Sequence, residues 1–130
     1  MEEFEMNEAL PSLSGAPSLE IAMAARDALD AKKGNGITVL HVEKKSDITD
    51  YLVLATGNSN THVKALCDEV EYRLALRGVL PLHEDREPRS NWQVVDFGSV
   101  MVHVFDAEAR SFYNLDKLYK DTTEVSEQGE

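Results

Sequence analysis

The chain has a single cysteine, Cys67, so no disulfide can close within it. Packing alone must then hold the fold, in a compartment that keeps thiols reduced. No run of about 18 apolar residues is present, so no membrane-spanning helix is expected. The first 18 residues contain Glu2, Glu3, Glu5 and Glu8 but no Lys or Arg. That argues against a secretory signal and against an Arg-rich transit peptide, although a transit peptide already removed would leave no trace. The four histidines, His41, His62, His83 and His103, are scattered, with no H-x-x-x-H and no C-x-x-C. A structural zinc site is therefore not expected. G-x-x-x-x-G-K-[ST], G-x-G-x-x-G and G-x-S-x-G are all absent, which removes the strongest sequence arguments for phosphate cradling and for a nucleophile elbow.

A basic stripe is missing as well. The formal charge is −11, and residues 121–130 repeat the pattern of the N-terminus, with Asp121, Glu124, Glu127 and Glu130 and no base. The two ends carry −8 of the −11, and residues 19–120 hold 16 acids against 13 bases, a net of −3. Extensive direct contact with nucleic-acid phosphates is unfavoured. A basic protein partner is compatible, and so is the plainer reading that acidic tails keep the protein soluble.

What is present suits one domain of 130 residues with one substantial core. Residues 1–17 read as an acidic, mobile lead-in, 18–121 as the domain, and 122–130 as an acidic tail. Ser18 is the expected N-cap of a helix from Leu19 to Lys33, with Ile21, Ala22, Ala25, Ala28 and Leu29 on one face. Gly34-Asn35-Gly36 stops it, and a β-rich run begins at Ile37. Lys44-Lys45-Ser46-Asp47 turns the chain. Asp50–Gly57 is nearly all apolar, as a central strand buried on both faces should be. A second helix follows to about Arg77, with Val63, Leu66, Cys67, Val70 and Leu74 on its stripe. A short edge strand is expected at Val79–Leu82. A last helix or pair of turns is expected from about Ala107 to Lys120, with Phe112, Leu115 and Tyr119 inward. The order gives an α/β fold, a mixed sheet of about five strands flanked by helices.

Asn91–Phe105 is the most informative stretch. Gly98-Ser99 between two apolar runs suits a type II′ hairpin. That turn sets Phe97 opposite Val100, Val95 opposite Val102 and Gln93 opposite Val104 on one face, which looks like core. Asp96 then faces Met101, Val94 faces His103 and Trp92 faces Phe105 on the other. The second face mixes Trp, Phe and Met with one Asp and one His, the composition of a recognition surface.

Other candidate chemistry has a plain alternative at each point. Gly57 before a helix could place N–H groups around a phosphate, and Asn58, Ser59, Asn60 and Thr61 serve equally as caps. Asp96, His103 and Ser99 could be imagined as a triad, and an Asp–His hydrogen bond explains the first two as well. Asp47 and Asp50 lack the close Asp-x-Asp spacing of a two-metal site, and turn formation accounts for both. Cys67 on an apolar stripe reads as a small buried hydrophobe.

Three stretches in order, SDITDYLVLATGNSNTHVKALCDEV, W-x-V-V-D-F-G-x-V-x-V-H-V-F and R-x-F-Y-x-L-x-x-L-Y, resemble the ribosomal silencing factor family, also called RsfS or Iojap. The likeness runs from about Leu19 to Asp121. Tyr119 stands where a Trp is usual, and Ser99 where an Asp is common. The resemblance implies a nucleotidyltransferase-like mixed sheet without the catalytic acids, a non-enzymatic role and no cofactor. It implies binding to large-subunit ribosomal protein fourteen, steric block of subunit joining, repression of translation and a homodimer when free. Large-subunit assembly without silencing and a divergent nucleotidyltransferase are the alternatives. A bacterial cytoplasmic or an organellar location would fit. The family's contacts carry over to Trp92, Asp96, Phe97 and His103. Met101 and Phe105 join them from the second hairpin face. The register turns Phe97 toward the core, whereas a place at the hairpin tip would let it lean outward.

Overall fold

A computed structural model describes residues 10–43, 49–119 and 123–125. Its elements in chain order are α1 (Ser18–Ala31), β1 (Asn35–His41), β2 (Tyr51–Gly57), α2 (Asn60–Leu76), β3 (His83–Asp85), β4 (Trp92–Asp96), β5 (Val100–Asp106), α3 (Ala107–Tyr113), α4 (Leu115–Leu118) and β6 (Thr123–Glu124). The six strands form one mixed sheet in the order β3-β4-β5-β2-β1-β6. β2 runs parallel to β5, and the other pairs are antiparallel. The α/β mixed sheet expected from sequence is therefore present, with β6 added as a two-residue edge.

The continuous apolar run of β2 is explained by its position between β1 and β5, where both faces are covered. Tyr51, Val53 and Ala55 point to the main core with Val39, Val95, Val100, Val102 and Val104. α1 and α2 cover that side, and their buried residues are the two stripes expected for them. Leu52 and Leu54 point the other way, into a smaller cluster with Leu40, Val42, Phe105 and Ala109. Leu115 and Tyr119 pack against this cluster. Among the described residues, the sheet thus has long helices on one face and two short ones on the other.

Several local expectations need correction. Ser18 is not the cap of α1; Pro17 holds that place without a side-chain bond, and the Ser18 hydroxyl donates to Asp50 Oδ2 at 2.9 Å. Val79–Leu82 is not the edge strand. The pairing begins at His83, opposite Asp96, and β3 carries the charge run His83-Glu84-Asp85. Charged residues on a short edge discourage pairing with another chain. Phe112 is not inward; it is 78% exposed. Asn114 takes a left-handed conformation (φ 50°, ψ 52°) and breaks the last segment into two helices, so one continuous helical stripe does not apply. The turn at residues 44–47 lies outside the described residues, as do residues 1–9 and 126–130. Leu13 and Val125 flank the span 18–121, and both are buried in the main core.

Two arginines tie the periphery to the sheet. Arg86 donates to Gln93 Oε1 (3.0 Å), Glu71 Oε2 (3.1 Å), Asp68 Oδ1 (2.8 Å) and the Lys64 carbonyl (3.2 Å), joining the β3–β4 region to α2. This explains how Gln93 can lie on the core face: its oxygen is paired, and its nitrogen donates to the Glu87 carbonyl at 3.3 Å. Arg110 grips Asp116 with two nitrogens (3.0 and 2.8 Å) and donates to the Gly36 carbonyl (2.7 Å), Thr56 Oγ1 (3.1 Å) and Thr38 Oγ1 (3.3 Å). α3 and α4 are thereby pinned to the ends of β1 and β2. The ion pair holds the Asp116 carboxyl below the usual carboxylate range.

The β2–α2 junction is equally close-fitting. A Cβ on Gly57 would stand 3.0 Å from the Val63 amide nitrogen and 3.0 Å from Val63 Cγ2. Backbone on one side leaves little room to relax. Gly57→Ala should cost about 1–3 kcal/mol of folding stability, read as a lower denaturation midpoint with an unchanged slope. An unaltered midpoint would show that the junction has slack.

Candidate partner-binding face

The geometry starts at the hairpin turn. Gly98 has φ +93°, a region L side chains rarely adopt, and Ser99 is not in it. This pattern suits a II′ turn. Phe97 N–H donates to the Val100 carbonyl at 2.8 Å, closing the loop at two residues. The pairs Trp92–Phe105, Val94–His103 and Asp96–Met101 follow as expected. Asp96 Oδ1 accepts from the Gly98 amide at 2.7 Å and braces the turn.

The six residues singled out from sequence divide by burial. Trp92, Asp96 and Met101 are half-buried. His103 is 8% exposed and Phe105 1%. Phe97 follows the register into the main core rather than leaning outward from the tip. The outer face therefore leaves Trp92, Asp96 and Met101 partly accessible, with His103 and Phe105 as the floor beneath them.

That floor is an aromatic stack. Trp92 lies with its ring centroid 5.4 Å from Phe105 and 5.8 Å from His103. The Trp92 indole N–H donates to His103 Nδ1 at 3.0 Å. An accepting Nδ1 places the imidazole proton on Nε2. Burial keeps this ring neutral and pushes its pKa down to about 4, with the Asp96 carboxylate pulling only weakly the other way. The diagonal Asp96–His103 hydrogen bond imagined from sequence is replaced by these two separate bonds. Asp96 serves the turn, and His103 orients the tryptophan. Tyr113, which sequence reasoning left without a role, packs on Trp92 with centroids 4.4 Å apart. Its signal was the R-x-F-Y stretch, whose aromatics are adjacent and so cannot both point inward from one helical turn.

The remaining candidates are occupied structurally. Ser59 Oγ accepts from the His62 amide (3.1 Å), and His62 Nδ1 accepts from the Asn58 amide (2.8 Å). His62 Nε2 then donates to the Lys32 carbonyl at 2.8 Å, linking the ends of α1 and α2. The glycine junction is thus a capped helix start. Asp50 accepts from Ser18, and Asp47 lies outside the described residues. Cys67 is buried, and burial pushes its thiol up to about 12, so it packs as a hydrophobe. Among the described residues no group of three His, Cys, Asp or Glu could hold a metal ion. No helix among them is long and apolar enough to cross a membrane.

Comparison with known proteins places the chain in a family. Residues 16–130 match the family described as "Ribosomal silencing factor during starvation". The chain belongs to the ribosomal silencing factor family. It is similar to the ribosomal silencing factor RsfS of Bacillus subtilis, 36% identical over 103 residues, which cover 79% of this chain and 85% of that one. The RsfS of Halalkalibacterium halodurans is 31% identical over 110 residues, covering 85% and 94%. A Chromobacterium violaceum protein solved by X-ray crystallography superposes with a TM-score of 0.74 at 34% identity, over 78% of this chain and 84% of that chain. More distant relatives include the chloroplastic Iojap protein of Zea mays. Family membership agrees with the order of the three sequence stretches, and the hairpin face lies in the second of them.

The neutral state of His103 has a measurable consequence. Unfolded, the ring titrates at its ordinary 6.5; folded, at about 4. As pH falls from 6.5 toward 4, the unfolded chain takes up a proton that the folded chain refuses. Stability from this group is complete above pH 6.5, falls by about 1.4 kcal/mol per pH unit within that window, and changes no further below pH 4. Denaturant unfolding between pH 7 and 4 should therefore show a flatter pH slope for His103→Gln than for the wild type. Equal slopes would mean that the ring is not held neutral.

Proposed function

We propose that this chain binds the large ribosomal subunit through large-subunit ribosomal protein fourteen and sterically prevents the small subunit from joining. The observation that supports this most is the outer hairpin face. Trp92 is half-buried, held by a hydrogen bond and by ring contacts with Phe105 and Tyr113, and shares its face of the hairpin with Met101 and an acidic Asp96. A pre-ordered tryptophan beside a carboxylate is suited to anchoring on a protein surface with apolar and basic groups. The chain acts in this reading by occupying a surface, without cofactor or chemistry. The net acidic balance favours a basic protein over direct contact with phosphates.

Trp92 and Met101 supply the apolar anchor and Asp96 the charged contact. His103 and Phe105 set the orientation of Trp92 from below, and Phe97 supports the hairpin from the core side. The free chain is proposed to be a homodimer. The domain is taken to span 18–121 between acidic ends, in a bacterial cytoplasm or an organelle.

The test is light scattering of purified large and small subunits mixed in magnesium, with and without the protein. Added wild-type protein should reduce joining and sediment with large subunits only. Trp92→Ala should weaken large-subunit binding by about 2 kcal/mol, roughly thirtyfold, and restore joining. Unreduced joining despite binding would favour an assembly role. No binding at all would overturn the reading.

A further inference from the structure

The hairpin face is too small to hold a ribosome-sized partner alone. Five residues of β4 advance about 16 Å, and two strands lie about 5 Å apart. That outlines a patch on the order of 100–200 Å², against about 800 Å² per partner in a stable complex. Part of the patch, His103 and Phe105, is already buried. On the side of Trp92 the apolar surface does not end. Tyr113 is 46% exposed and in ring contact with Trp92, and Phe112 is 78% exposed and stands edge-on to Tyr113 with centroids 5.0 Å apart. The aromatic row Phe105, Trp92, Tyr113, Phe112 thus grows steadily more exposed as it leaves the sheet.

Phe112 is not left outside for lack of an anchor. Ala109 fills the inward position of α3, the Asp106 carboxylate caps the helix by accepting from the Ala109 amide at 2.8 Å, and Arg110 pins the segment through five bonds. An aromatic side chain held outward on a fixed frame is pre-ordered for contact. On the elements that carry the row, Asp96 ends β4, Asp106 ends β5 and Glu108 lies on α3; Arg110 and Asp116 pair with each other, which leaves Lys117 as the one unpaired base among them. The surface is acidic and aromatic, a match for cationic side chains that can stack on rings.

We propose that the partner surface continues from the hairpin onto α3, where Phe112 and Tyr113 form its second half, and that its occupant is a basic patch of the same large-subunit protein. This rests on the proposed ribosome binding. Affinity for purified large subunits is compared for the wild type, Phe112→Ala, Trp92→Ala and Tyr72→Ala. Tyr72 is an exposed aromatic on α2, which covers the opposite face of the sheet. Phe112→Ala should raise Kd about tenfold and Tyr72→Ala less than twofold. Phe112→Lys should bind more weakly than Phe112→Glu, because the partner is basic. If Trp92→Ala weakens binding while Phe112→Ala behaves like Tyr72→Ala, the extension is wrong and the hairpin reading stands. If neither Trp92→Ala nor Phe112→Ala has an effect, both fall. If Phe112→Ala keeps its affinity for large subunits but halves the mass of the free protein in light scattering, the occupant is a second copy of this chain, and the proposal is overturned. Stronger binding by Phe112→Lys than by Phe112→Glu would overturn the basic partner.

Discussion

The two-residue turn at Gly98-Ser99 decides which side of the sheet every hairpin residue faces. One residue more in that loop would exchange the faces of one strand against the other. Valines now in the main core would then oppose Trp92, Asp96 and their neighbours. The turn is over-determined: Gly98 supplies the positive φ, the Asp96 carboxylate accepts from its amide, and Phe97 closes the loop onto Val100. Because β5 also runs parallel to β2, the same register carries into the centre of the sheet. The partition into a bland core face and a mixed outer face is therefore fixed once, locally, and inherited by the whole molecule.

The two faces are then treated differently. α1 and α2 seal one side with Ala, Leu and Val, which leaves that side no chemistry beyond packing. Among the described residues, the other side has α3 and α4 alone. They cover Leu40, Leu52 and Leu54 but stop at Trp92, so half of the hairpin face stays open. Arg110 makes this partial cover rigid. The open part is acidic and aromatic, is carried by paired strands, and uses a buried neutral histidine to hold its tryptophan. Such a surface suits the proposed role of blocking subunit joining, which asks only for a fixed shape.

Much of this was legible in the chain. The helix stripes were readable because Ala and Leu recur at 3.6-residue spacing, and the hairpin because its turn leaves one register. The face that carries the partner proposal followed from that register, and Phe97 obeyed it. The failures share a cause: local pattern cannot show which distant group a polar side chain will meet. Ser18 has the chemistry of a cap but finds Asp50, 32 residues away. Asp96 and His103 are near each other, yet each has a better partner. Arg86 and Arg110 act across the fold, over separations that no spacing rule reaches. A helix or pair of turns from Ala107 to Lys120 leaves the facing of Phe112 to helical spacing, and the left-handed Asn114 that breaks the segment gives only a weak signal in sequence. β3 begins four residues beyond the expected Val79, because a charged edge strand carries no apolar alternation.

In the proposed complex the outer hairpin face touches large-subunit ribosomal protein fourteen. The most direct measurement replaces Met101 with a diazirine methionine analogue, irradiates the protein bound to purified large subunits, and identifies the cross-linked chain by mass spectrometry. The expected result is a cross-link to that one ribosomal protein, lost when Trp92 is replaced by Ala. Cross-links to ribosomal RNA, to another ribosomal protein, or only to a second copy of this chain would contradict it.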